Sequence, residues 1–353
     1  MKNYSVLLHE KSFEKVSTYL QSLLSGEYEA GTYLSKSLID EDLTALSDVQ
    51  LLEKIIQTKK PQIFAESEVM GDGSDWNQIE LSILGDVVIS MPVTVFNDAK
   101  HNNPLNHAKP FLGSMLFVSG ALLRNDSGEI AVDYHEIVKN DRIDDACLFD
   151  LYERRLLPAL KYANDDASKK NKQALVTIPG LGCGQFAGKF KGLLEGKLKQ
   201  VILKLLSKYN SELTNIKAVY FDPYNQCDNE RIEINHISFL VRPLQQGNHN
   251  KPQLCKPEQY EDKQGEFSNS DLYSVVAWDH VSWPGNDFFV GDRVTDDGVK
   301  SASTNSMFKI TGVEGSYNTN NFCYEPAQRY NNWNDVISQN NIKFDCLNLQ
   351  VIS

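Results

Sequence analysis

Carboxylates crowd one stretch of this chain, Tyr273 to Met307, and aromatic rings are interleaved with them. Asp279 directly follows Tyr273-Ser274-Val275-Val276-Ala277-Trp278, a β-branched and aromatic run with the composition of a buried strand. Asp287, Asp292, Asp296 and Asp297 come next, with Trp283, Phe288 and Phe289 in the same segment. Grouped carboxylates can take a proton from an attacking water or stabilise positive charge developing at a sugar carbon. Aromatics beside them suit a pocket that stacks a ring and orients hydroxyls. The bland alternative is that loop acids are solvated or cap helices. It fits Asp292, in a Gly-Asp-Arg surface turn, and Asp296, beside Thr295, better than it fits Asp279, Asp287 and Asp297.

The local sequence says how these acids are held. Trp283-Pro284-Gly285-Asn286 is a turn. Thr295-Asp296-Asp297-Gly298-Val299-Lys300 suits a helix start, where Thr and Asp oxygens accept free N–H groups. The stretch therefore reads strand, long loop, helix. Loops just past the C-terminal ends of strands are where α/β proteins hold ligands.

A second stretch has the geometry of a phosphate site. Ala174 to Pro179 reads as a strand and Gly180 to Gly188 as a glycine-rich loop. Lys189 to Leu206 reads as an amphipathic helix. Glycines let the backbone approach phosphate oxygens, and a helix N-terminus offers N–H groups. The loop is neither GxxxxGK[ST] nor GxGxxG, so neither a triphosphatase loop nor a dinucleotide fingerprint is indicated. Taken alone, a glycine-rich turn is weak evidence for phosphate.

The remaining elements follow from periodicity. Residues 1–60 read as helical, with apolar faces over Ser12 to Leu24 and Asp40 to Thr58, forming either a lid or padding for the core. Leu81 to Phe96 reads as one or two strands and Phe111 to Leu123 as another, with a turn at Asn125 to Gly128. A helix over Asp145 to Ala163 should kink or end at Pro158. Ile216 to Phe221 and Ile237 to Val241 read as strands, and Ile342 to Ile352 as strand-like. Residues 242–270 read as a long surface excursion. The expected division is a helical extension over 1–60 and an α/β domain over 61–353.

Composition excludes several classes. The chain has 353 residues, 41% of them hydrophobic, enough for a sizeable core. Asp and Glu outnumber Lys and Arg 47 to 35, for a net charge of -12, which argues against nucleic acid as a direct partner. No apolar run reaches the roughly 18 residues that span a membrane, and the N-terminus lacks a signal-peptide core. Six scattered cysteines without a CxxC pair read as reduced thiols rather than a zinc site. His101 and His107 stand in an Asn-rich loop without a third ligand nearby, so they read as surface groups and no metal is expected.

The two loops together resemble the macrodomain family, the ADP-ribose-binding α/β fold. Gly182-Cys183-Gly184-Gln185-Phe186-Ala187-Gly188 is similar to the diphosphate loop GCGAFGG of poly(ADP-ribose) glycohydrolases. The segment from Val275 resembles the family's catalytic segment, and Asp279, Asp287 and Asp297 match the three-aspartate spacing of macrodomain effectors that remove ADP-ribose from arginine. The resemblance implies a three-layer α/β/α fold with a mixed sheet. It implies Asp279, Asp287 and Asp297 as catalytic residues. Gly180, Gly182, Cys183, Gly184, Gln185, Phe186, Ala187, Asn286 and Asp296 would contact ADP-ribose. It implies a monomeric hydrolase without cofactor, acting on ADP-ribosylated protein, with ubiquitin a candidate target, as a secreted bacterial effector in the host cytosol. In the usual family order the catalytic segment precedes the diphosphate loop, whereas here it follows, so a permuted strand order is expected. The GGG…QEE and NAAN…GGG patterns are absent, which argues against polymer cleavage. A non-catalytic ADP-ribose reader and a poly(ADP-ribose) glycohydrolase are the competing readings.

Overall fold

Alternating burial along the strands sets the layers. In β1 (Ser5–His9), Val6 and Leu8 pack into one apolar core and Leu7 into a second on the opposite face. The same split divides Val275 from Val276 in the strand Ser270–Trp278. A sheet buried on both faces is the result. The computed structural model describes residues 1–62, 75–124 and 131–353.

Nine strands form this sheet. After β1 come β2 (Val88–Asn97), β3 (Asn106–Ser119), β4 (Gln173–Pro179), β5 (Ile216–Asp222), β6 (Glu230–Ile234), β7 (Ile237–Val241), β8 (Ser270–Trp278) and β9 (Gln350–Ile352). Their spatial order is β9-β1-β2-β3-β8-β4-β5-β7-β6. Thus β8, which follows β4 in the chain, lies between β3 and β4 and runs parallel to both. β5 and β7 continue the parallel set. One face is covered by α5 (Asp145–Lys169) and α6 (Leu194–Tyr209). On the other lie α1 (Glu10–Ser25), α3 (Asp48–Gln57), α4 (Gln78–Asp86), α7 (Asp296–Ala302), α8 (Ser306–Thr311) and α9 (Trp333–Asn340). A short α2 (Thr32–Leu38) joins α1 to the segment before α3. This is an α/β fold with a large mixed sheet flanked by helices.

Several sequence expectations need correction. Residues 1–60 are not all helix, because β1 joins the main sheet between β2 and β9. Leu81 to Phe96 is not purely strand. Asn77 and Glu80 form a reciprocal capping box that starts α4, and β2 begins only at Val88. Pro158 does not end its helix, since α5 runs on to Lys169. Burial of Leu148, Leu151, Leu156 and Leu160 on both sides of Pro158 outweighs the lost N–H bond. Residues 242–270 are more than surface, because Leu254, Tyr260 and Phe267 are buried in the core. The helix after the glycine loop starts at Leu194 rather than Lys189. The turn at Asn125 to Gly128 lies outside the described residues.

Beneath the strand ends a buried charge network ties distant segments together. The fully buried Arg155 donates to Asp86 (3.1 Å), to both oxygens of Asp133 (2.9 and 2.7 Å) and to the Gly120 carbonyl (3.1 Å). Asp86 also accepts from Ser12, Lys15 and Arg154, each at 2.8 Å. Burial alone would raise the Asp86 carboxyl, but Lys15, Arg154 and Arg155 hold it well below the usual range. Arg155→Met would leave Asp133 and Asp86 buried with less counter-charge, so a loss of about 3–5 kcal/mol is expected in urea denaturation.

Candidate functional site

Parallel neighbours end at the same sheet edge, so the loops after β3, β8, β4 and β5 rise side by side. The approach of the first and third is close. A Cβ on Gly120 would lie 2.1 Å from the backbone nitrogen of Gly182, so glycine at 120 is a packing requirement. Gly120 N–H also points at the Trp278 carbonyl at 3.4 Å, which brings the end of β8 into the same cluster.

The loop after β8 is stapled by its own acids. Asp279 accepts from the N–H groups of Val281 (2.8 Å) and Ser282 (2.7 Å), from Ser282 Oγ (2.6 Å) and from Asn286 Nδ2 (3.1 Å). Asp287 accepts from Val294 N–H (2.6 Å), Thr295 N–H (3.1 Å) and Thr295 Oγ1 (2.5 Å). Asp297 takes Gly285 N–H on both oxygens (2.8 and 2.9 Å) and Ser301 Oγ at 3.1 Å. Gly285 can present that N–H because it adopts φ 118. Thr295 caps α7 through Gly298 N–H, as its sequence position suggests.

All three carboxylates are buried, at 4%, 3% and 2% exposure for Asp279, Asp287 and Asp297. They lie close enough to act on one another. Burial pushes Asp297 well above the ordinary carboxylate range against the Gly285 N–H, and the charges of Asp287 and Asp279 push it further. Asp297 therefore holds its proton to higher pH than an ordinary carboxylate. Asp296 faces away from this group. It accepts from Ala277 N–H (2.8 Å) and pairs with the buried Lys300 (3.0 Å). Asp292 is exposed at the loop surface.

Beside this loop opens a cavity of about 630 Å³. Its walls include Gly180 after β4, Asp222 at the end of β5, Tyr224 just beyond it, Gln253, Asp296, Lys300 and the β2–β3 hairpin tip at Lys100 to Asn103. Asp279, Asp287 and Asp297 are not among its walls. Burial raises the Asp222 carboxyl above its ordinary value, against N–H groups from Leu244 and Tyr224. Tyr224 is exposed and holds φ 62, a left-handed conformation unusual for an aromatic residue.

The model of the macrodomain effector MavL matches residues 4–330. The chain belongs to this MavL macrodomain family. Membership implies ADP-ribose binding. No curated protein matches it closely enough to count as a relative.

Within this macrodomain the glycine loop divides by role. Gly182 has φ 70, and a Cβ there would stand 2.7 Å from the Ala121 nitrogen, so it is held by packing. Gly184 is exposed, and a Cβ there meets nothing within 4 Å. Cys183 and Ala187 are buried, and burial raises the Cys183 thiol well above its usual value. Gln185 is exposed and accepts from Arg124 (2.9 Å), while Phe186 packs partly into the core. Gln185 to Phe190 form a 3-10 turn, so the free N–H groups of α6 begin beyond the loop rather than within it. Asn286 lies between the acids with its amide on Asp279. His107 is not a plain surface group. Its ring bonds the Leu254 carbonyl at 2.8 Å, and burial lowers its pKa. Among the described residues no group of three His, Cys, Asp or Glu side chains could hold a metal ion.

Asp222, Tyr224, Lys300 and the buried Lys59, which donates to the His280 carbonyl beside Asp279, were not singled out from sequence. Asp222 carried a usable signal, because it follows the apolar run Ile216 to Phe221 as Asp279 follows its own strand. Lys59 carried none. The raised Asp297 carboxyl gives a test of the cluster. An unfolded Asp titrates near ~4, so above that pH the unfolded state loses a proton that the folded state retains. Stability contributed by this group therefore falls as pH rises from the unfolded value toward the higher folded one. D297N has no proton to lose. Its unfolding free energy should vary less with pH over that interval and match or exceed wild type at neutral pH, as chemical denaturation across a pH series would read.

Proposed function

We propose that this macrodomain hydrolyses the N-glycosidic bond between ADP-ribose and an arginine side chain of a modified protein. The supporting observation is the cluster of three buried carboxylates, one of them pushed well above the ordinary carboxylate range, in the loop next to the glycine loop. The diphosphate would lie on the open backbone around Gly184, the adenosine in the cavity by Asp222 and Tyr224, and the distal ribose toward the acid loop. Water adds to the anomeric carbon as the bond to the guanidine nitrogen breaks. Asp297 gives its proton to the departing nitrogen, and a second carboxylate of the cluster takes the proton from water, so protons balance. Carboxylates are also natural partners for the guanidinium being released. Ubiquitin belongs among the substrates to be assayed, and the effector designation of the family supports action inside a host cell.

The reader alternative has one observation in its favour. The acids spend much of their hydrogen-bonding capacity on loop N–H groups and do not line the cavity. The decisive experiment follows ADP-ribose release from arginine-, glutamate- and serine-linked ADP-ribosyl substrates, with EDTA present. Release from the arginine-linked substrate is expected. Asn variants suit the test because they can still accept the loop N–H groups. D279N, D287N and D297N should each fall about 100-fold or more in turnover, with D292A near wild type. No release by wild type from any substrate would leave the reader. Free ADP-ribose should raise the melting temperature. Gly184→Trp should remove that shift while the protein still folds, since residue 184 is exposed and a Cβ there meets nothing within 4 Å.

A further inference from the structure

The most unusual side chain near the acid loop comes from the far end of the chain. Lys59 follows α3 and is 2% exposed. Its ammonium donates to the His280 carbonyl at 2.6 Å and lies 4.0 Å from the centre of the Trp278 ring, with the Leu84 carbonyl at 3.5 Å. Trp278 and His280 are the residues on either side of Asp279. No carboxylate among the described residues pairs directly with Lys59, and Asp279 supplies the charge that most favours its protonated form. Burial lowers its pKa to about 7, opposed by Asp279, with Arg155 adding to the lowering.

The backbone repeats the same attachment. Lys60 N–H donates to the Val281 carbonyl (2.8 Å), and Trp283 N–H donates to the Lys60 carbonyl (2.6 Å). Trp283 Nε1 donates to the Lys59 carbonyl at 2.8 Å. The segment is itself anchored by Leu51, Leu52, Ile55 and Ile56, all fully buried, and by Thr58, whose hydroxyl accepts from Trp76. An apolar side chain would fill this position without desolvating an ammonium, so stability alone gives no reason for lysine here.

We infer that Lys59 is a positioning residue for Asp279, gripping the residues on both sides of it so that its carboxylate is held at a fixed place in the acid loop. The N-terminal segment is then part of the site rather than padding. The inference rests on the hydrolase reading for its catalytic meaning, but the clamp can be read without turnover. Val281 and Ser282 amides are bonded to the Asp279 carboxylate and Trp283 amide to Lys60, so hydrogen exchange at these three reports the clamp directly.

The test compares wild type, K59M, K59Q and K54M in the full chain. Lys54 lies on the same α3 and pairs with Glu41 away from the loop, so it controls for loss of charge. K59M should keep a melting temperature within a few degrees of wild type and bind ADP-ribose within about twofold. Its amides at 281–283 should exchange at least tenfold faster, and kcat should fall at least tenfold with little change in KM. K59Q, which keeps a donor without the charge, covers the case in which K59M does not fold, and should show the same split. Unchanged exchange at 281–283 in the folded variant overturns the inference. So does unchanged kcat where the wild type is active. A wild type without hydrolase activity removes the proposed function, and the exchange rates still decide whether the clamp exists.

Discussion

A guanidinium taken fully out of water must find acceptors for its N–H groups, and Arg155 finds them on three separate parts of the chain. That requirement fixes the ground under the site. Asp86 ends α4, Gly120 opens the loop after β3, and Asp133 accepts the Leu122 N–H from that same loop while lying 3.3 Å from His280 in the acid loop. Lys15 and Ser12 bring α1 to the same point. In a low-dielectric interior these partners cannot drift apart without exposing an unpaired charge. The loops above are consequently docked on a rigid base although each is irregular in itself.

Above that base the acid loop faces two opposed demands. Its carboxylates accept backbone N–H groups that the irregular chain could not otherwise satisfy. They also repel one another, and the charges of Asp287 and Asp279 add to burial in pushing the Asp297 carboxyl well above its ordinary range. An acidic protein must nevertheless accommodate a dianionic ligand. Lys189 does not obviously help, because it is engaged by Asp141 and Tyr134. Lys300 is a buried cation at the cavity wall, but Asp296 pairs with it. The uncharged N–H groups of the glycine loop are thus the more natural phosphate contacts.

Much of the site's framework was legible in the sequence. The apolar run before Asp279, the glycine loop and the Thr295 cap are local signals, and strand, loop and helix occur there. What failed was non-local. Pro158 reads as a helix breaker until the burial of its neighbours is known. β1 reads as a prelude to a helix because its pairing partners are residues 88–90 and 350–352. Lys59 looks like any lysine at a helix end, and only the three-dimensional fold brings it to Asp279. The segment 242–270 is polar in composition, yet its few apolar residues are the ones that pack.

The insertion of β8 has a consequence for how the protein comes into being. During synthesis, β3 and β4 emerge long before the strand that must separate them, and β1 waits for β9 at the other end of the chain. Until residue 278 is available, two central strands have unpaired edges and no correct neighbour on that side. Pairings this distant close large loops before they are rewarded, which makes folding slow and nearly all-or-none. The acid loop arrives with the strand that closes the gap at the centre of the sheet. Chains that end before residue 278 therefore have no acid loop, and its assembly is tied to the insertion of β8.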